Sequence, residues 1–147
     1  MTKTARNYFT KEEKEEITLS IKNAELDTSG EIRVHIENTC TGDAKDRAAY
    51  LFEKLSMHKT ELRNGVLFYL AVKNRKFAIL GDAGINQKVP ENFWDNIRDT
   101  MLGHFREDKF TDGLTEGITM AGKKLKEHFP YQTDDVNELS DEISFGE

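Results

Sequence analysis

The residue with the strongest intrinsic nucleophile in this chain is its single cysteine, Cys40. It follows a strand-like pattern and opens a Gly-containing loop that leads into a helix, as the nucleophile of a thiol phosphatase does. Arg47 comes after six intervening residues, one more than such a loop allows. Asp43 and Asp46 would also repel a phosphate. Cys40 therefore reads as a small apolar loop residue. One cysteine also excludes an internal disulfide and a Cys-cluster zinc site. The four histidines, at 35, 58, 104 and 128, lack metal-ligand spacing. His35 falls on the polar face of its strand and is expected to be a partly exposed surface residue.

Carboxylates in loops are the remaining chemistry. Asp27-Thr-Ser-Gly-Glu31 opens like an EF-hand loop, but position six is Ile32 instead of Gly and position twelve is Asn38 instead of Glu, so no such loop is present. Glu31 and Asp82, with Asn64 as a neutral oxygen donor, form one candidate group. Asp43, Asp46, Asp108 and Asp112 form another. Hard cations such as Ca²⁺ take six to eight oxygens, which carboxylates from separate loops can supply. Asp43, Asp46 and Asp112 have a second explanation, because acids at helix starts favour the helix dipole. Asp82 lacks it, being neither at an obvious cap nor beside a base in sequence. No P-loop, dinucleotide fingerprint or nucleophile elbow occurs.

The elements that must position these residues follow from periodicity. Thr10-Lys-Glu-Glu13 is a capping box that opens a helix through Ala24, with Ile17, Ile21 and Ala24 on one face. Ile32, Val34 and Ile36 alternate with polar residues as in a half-buried strand. A helix capped by Asp43 carries Ala44, Ala48, Leu51, Phe52 and Leu55 at helical spacing. Gly65 to Val72 is continuously apolar and reads as a central strand. A turn at Lys73-Asn74-Arg75 returns the chain through Lys76 to Leu80, and Gly81-Asp82-Ala83-Gly84 ends that strand. After Pro90 a third helix aligns Phe93, Trp94, Ile97, Met101 and Phe105. The loop Glu107 to Asp112 leads to a fourth, with Leu114, Ile118, Ala121, Leu125 and Phe129, stopped by Pro130.

This order predicts one α/β domain over 1–147. A β-α-β crossover of right hand plus a hairpin builds a small mixed β-sheet sandwiched between helices. If the first two strands run upward, Asp43, Asp46, Asp108, Asp112 and the hairpin turn lie at the top. Glu31, Arg63-Asn64 and Asp82 lie at the bottom, where the C-terminal segment also begins.

The chain has 147 residues and net charge -6. Residues 131–147 hold Asp134, Asp135, Glu138, Asp141, Glu142 and Glu147 and no Lys or Arg, so the rest is balanced. No basic stripe suits nucleic acid; a cation or a basic protein fits the acidic segment better. Within it Val136, Leu139 and Ile143 recur at intervals of three and four. The stretch around Asn137-Glu138-Leu139 is therefore expected to pack near the bottom loops, with only the last few residues loose. No apolar leader precedes Phe9, and Val66 to Val72 is far short of the ~20 residues that span a bilayer. The expectation is a cytoplasmic monomer.

Thr28-Ser-Gly-Glu-Ile-Arg-Val34, Asn64-Gly-Val-Leu67, Gly81-Asp82-Ala-Gly-Ile85 and Phe110-Thr-Asp-Gly-Leu114, taken in order, resemble the TPM domain family. Phe129-Pro130 and Asn137-Glu138-Leu139 are similar to a bacterial soluble subgroup of it. Known relatives include a thylakoid-lumen acid-phosphatase-like protein and a photosystem II repair protein. The resemblance implies a small sheet between helices and binding of a divalent cation. For some relatives it implies a phosphatase activity or a role in assembling or repairing membrane complexes. The expected function is a binding module that holds Ca²⁺ or another divalent cation weakly in acidic loops and presents a surface to a protein partner. The alternative is a weak metal-assisted acid phosphatase, with the cation polarising a phosphoryl oxygen and Asp82 as base.

Overall fold

The computed structural model describes residues 8–131 and 139–146. Helix α1 (Lys11–Glu25) starts at the expected capping box: Thr10 Oγ1 accepts from the Glu13 N–H, and Glu13 reaches back to the Thr10 N–H. Strand β1 (Glu31–Glu37) follows, then α2 (Ala44–Lys54), whose N-cap Asp43 accepts from the N–H groups of Lys45 and Asp46. A 3-10 turn at Met57–Lys59 leads to β2 (Gly65–Ala71), and a hairpin to β3 (Lys76–Gly81). Short helix α3 (Ala83–Asn86), helices α4 (Asp95–Arg106) and α5 (Phe110–Leu125), and a two-residue strand β4 (Ser144–Phe145) follow.

The sheet order is β3-β2-β1-β4. β1 and β2 are parallel, with Glu31 opposite Gly65 and Glu37 opposite Ala71; β2 and β3 are antiparallel. This is the expected crossover plus hairpin. One face of the sheet, with Val66, Phe68 and Leu70, packs against Ile17 and Ile21 of α1, Ile97 of α4 and Ile118 of α5. The other face, with Leu67, Tyr69 and Ala71, packs under Ala48, Leu51 and Phe52 of α2. Burial on both faces explains why β2 is apolar throughout. α4 and α5 approach closely because α5 carries glycine at the contacts: a Cβ at Gly113 would stand 2.3 Å from the Phe105 ring.

Five expectations need correction, the first being that Phe129 lies beyond α5, which ends at Leu125. Phe93 and Trp94 precede α4 instead of lying in it, although Trp94 is buried as a core anchor. Asp112 sits in the first turn of α5, not in a loop. Asp82 is the N-cap of α3 and is paired with Arg63, so it has the cap and the base that linear spacing hid. His35 is buried, at 5% exposure, and not a surface histidine.

The C-terminal segment returns to the sheet. Leu139 packs under α2 at the bottom, as expected of it; Val136, Asn137 and Glu138 lie outside the described residues. The end is not loose up to Gly146, because β4 pairs with β1 in parallel, His35 opposite Ser144. Nothing in its length or composition marked two residues as a strand.

Candidate functional site

The expected top and bottom of the sheet are both present. At the top, the Gly42 carbonyl accepts from Lys76 Nζ, so the loop before α2 lies beside the hairpin. Arg75 in the hairpin turn pairs with Asp108 at 2.8 Å. Asp108 and Asp112 share the rim of a shallow cavity of about 280 Å³ with Glu13 and Glu16. Asp43 and Asp46 are separate from that cavity, at the start of α2: Asp43 caps the helix and Asp46 lies in its first turn. The six candidate carboxylates thus divide into several places.

Under the top of the sheet lies a polar network that spacing did not reveal. Glu37, 3% exposed, accepts from Nε and Nη2 of Arg47 and from the Tyr69 hydroxyl at 2.6 Å. His35 Nε2 stands 3.3 Å from Glu37 Oε1, out of line for a hydrogen bond, and its Nδ1 is 2.7 Å from Ser144 Oγ. The His35 ring stacks on Tyr69. Burial pushes the Glu37 carboxyl up, but the hydrogen bonds from Arg47 and Tyr69 outweigh it and leave the pKa lowered. Burial lowers His35, with Glu37 opposing in part. The result is an ionised glutamate, matched by a guanidinium, beside a neutral imidazole. The signal was the alternation of Arg33, His35 and Glu37, whose polar face is roofed by the returning C-terminal segment.

At the bottom, Asp82 Oδ1 and Oδ2 receive Arg63 Nη2 and Nε at 2.9 and 2.8 Å, and Oδ1 also accepts the Ala83 N–H. Glu31, 5% exposed, lies two strands away and accepts the Leu139 N–H at 2.8 Å. Asn64 Nδ2 donates to the Ser29 carbonyl, and the Asn64 carbonyl accepts the Glu31 N–H.

Two further acids gather beside Glu31 on the outer side of β1. Glu25 closes α1 and accepts the Ile32 N–H at 3.0 Å. Its carboxyl also lies beside that of Asp141. Burial first, then the Asp141 contact, then the charges of Asp141 and Glu31 push its pKa up to about 9. Asp141 Oδ1 is buried with no hydrogen-bond partner among the described residues. No lysine or arginine of the described residues pairs with either acid. Glu25 left one trace in the sequence, an acid at a helix C-terminus, where the dipole disfavours it. Asp141 left none within an acidic run. Among the described residues, no group of three or more His, Cys, Asp or Glu side chains is placed to hold a metal ion. Cys40 is buried against Ala48 and Phe52, and its Sγ donates to the Gly42 carbonyl, as an apolar loop residue would.

No helix among the described residues is long and apolar enough to cross a membrane. A comparison with curated proteins finds no match. Among solved structures, the chain is similar to the BA42 protein of the psychrophilic bacterium Bizionia argentinensis. They share 45% identity over 95% of this chain and 96% of that one, with a TM-score of 0.90. The N-terminal domain of a protein from P. gingivalis has the same fold at 19% identity, with a TM-score of 0.69 over 84% of this chain and 82% of that one. The N-terminal domain of a Corynebacterium glutamicum protein does so at 11% identity and a TM-score of 0.65, over 95% of this chain and 81% of that one. The family model for the TPM domain matches residues 3–124. With that match and the 45% identity, the chain belongs to the TPM domain family.

Proposed function

We propose that this TPM domain is a binding module for a divalent cation, Ca²⁺ in the first instance, taken at the bottom of β1 by the Glu25 and Asp141 carboxyls, with backbone and water oxygens completing the shell and the charge of Glu31 adding to the attraction. The observation that carries it is the Glu25–Asp141 contact. Two carboxyls lie side by side, the Glu25 pKa is pushed up to about 9, and Asp141 Oδ1 is buried without a partner among the described residues. A proton there occupies the place that a hard cation fills better, since Ca²⁺ takes carboxylate, backbone and water oxygens together. Asp82 lends no comparable support, because both its oxygens already serve Arg63 and the start of α3. The same occupation disfavours Asp82 as the base of a metal-assisted phosphatase. The top cavity with Asp108 and Asp112 offers a second carboxylate group, but Arg75 already offsets Asp108.

Binding should be weak, with Kd on the order of 10⁻⁴ M, because no single loop supplies a full ligand set. It should also release a proton at neutral pH and tighten as pH rises, since Glu25 must ionise to bind. An NMR titration with Ca²⁺ tests this. The amides of Ile32 and of Leu139 to Glu142 should move, with those of Asp108 to Asp112 unchanged. Unchanged shifts at millimolar Ca²⁺ sink the proposal, and movement confined to Asp108 to Asp112 transfers it to the top cavity.

A further inference from the structure

The outer edge of β3 is the open side of the sheet. Asp82 donates its N–H to the Gly65 carbonyl, which sets the antiparallel ladder: Leu80, Ala78 and Lys76 exchange bonds with β2. The N–H and C=O groups of Phe77 and Ile79, and the Gly81 N–H, therefore point away from the sheet. The Gly81 carbonyl, on the same side, receives Asn86 Nδ2 at 3.1 Å. None of the other outward groups has a partner among the described residues.

These groups form the floor of a groove of about 400 Å³ that runs along the strand between the start of α2 and the start of α4. Its ends carry opposite charges. Lys45 lies at the Phe77 end, next to the loop whose Gly42 carbonyl holds Lys76. Glu91 lies at the Gly81 end, where Trp94 would stand 3.1 Å from a Cβ on Gly81. Arg98 is paired with Asp95, and Asp43 caps α2, whereas Lys45 and Glu91 have no ion-pair partner among the described residues.

We infer that the groove takes an extended segment of another protein, which adds to β3 as a fifth, antiparallel strand. The floor specifies the occupant's main chain, because only a strand presents N–H and C=O groups alternately to unpaired β3 groups. The ends specify its charges. An antiparallel segment runs opposite to β3, so it places a basic residue near its own N-terminus over Glu91 and an acidic one near its C-terminus over Lys45. Phe77 to Gly81 spans about 13 Å, the length of roughly four to five extended residues. The groove lies at the edge of the sheet opposite the Glu25–Asp141 contact, so this inference stands or falls separately from the cation reading.

The test is titration of the labelled, metal-free protein with a short capped peptide of alternating Thr and Val, with Lys near its N-terminus and Glu near its C-terminus. The amides of Phe77, Ile79 and Gly81 should shift, with those of Ile32 and Leu139 unmoved. A peptide N-methylated at the residues that face β3 should bind about tenfold more weakly or worse, because it loses the donors the ladder needs. The exposed double variant Lys45→Glu, Glu91→Lys should prefer the peptide with Lys and Glu exchanged. Absence of shifts at millimolar peptide overturns the inference, as does equal binding of the N-methylated peptide. Concentration-dependent shifts of the same amides without peptide overturn it in favour of pairing between two copies of this chain.

Discussion

Glu37 and Glu25 are acids set against the two ends of β1, and they are held in opposite ways. Glu37 is matched by Arg47, donated to by Tyr69 and flanked by His35, so its charge is stable in the interior. Glu25 meets another acid, Asp141, and keeps a proton instead. A buried carboxylate with every acceptor served is a structural element. One that must hold a proton well above the usual carboxylate range carries an unmet demand for positive charge. That difference separates the network that fastens the C-terminal segment from the one proposed to bind a cation.

The largest effect expected of this comparison is at the satisfied end. Glu37→Ala strips the acceptor from a buried tyrosine hydroxyl and opens a cavity, at a cost of about 2–4 kcal/mol. Urea unfolding measures it. A midpoint equal to that of the parent protein would show that the network is incidental. Truncation after Pro130 comes next. It removes Leu139 from under α2 and Ser144 from His35, and should cost about 1–3 kcal/mol once the entropy of ordering the segment is subtracted. If the truncated protein melts like the whole chain, the segment is an ornament.

Smaller, and opposite in sign, is Glu25→Gln. Folding raises the Glu25 pKa from 4.5 to about 9, so folding favours its neutral form. Its contribution is full below about pH 4.5 and is lost as the pH rises towards 9. The metal-free variant should therefore be more stable than the parent at pH 8, by on the order of 1 kcal/mol after solvent screening. It should also lose the response to Ca²⁺. A variant that melts lower at pH 8, or still binds Ca²⁺ normally, breaks the contrast.

His35 sharpens it from the other side. Its pKa is lowered by burial, so its contribution is present above 6.5 and lost as the pH falls through the folded value. His35→Gln should flatten the loss of stability below about pH 6.5 and leave the decline up to about pH 9, which belongs to Glu25, unchanged. Melting curves across pH separate the two. Cys40→Ser should do least, with any hydrolytic activity intact and stability changed by about 1 kcal/mol or less, since the thiol only fills a loop. Loss of a metal-independent activity in that variant would restore the cysteine as a nucleophile.

Much of the fold was legible because it follows from period and punctuation. The capping box at Thr10, the apolar run of β2 and the stripes of α4 and α5 each report a local geometry with its own spacing. From these came the crossover, the hairpin and the two ends of the sheet. Contacts between distant residues were not legible. Arg63 reaches Asp82 across nineteen positions, Ser144 reaches His35 across 109, and Leu139 reaches Glu31 across 108. Charge, polarity and apolar pattern say that such residues need partners, and only the three-dimensional path of the chain decides which they meet. The sequence by itself determined the elements, their order, and that its C-terminal acids had an apolar reason to return. The tertiary structure alone decided that Asp82 is neutralised while Glu25 and Asp141 face each other. The physical reason is that a carboxylate's state is set by burial and by the charges within a few ångströms of it, and neither quantity is local in the chain.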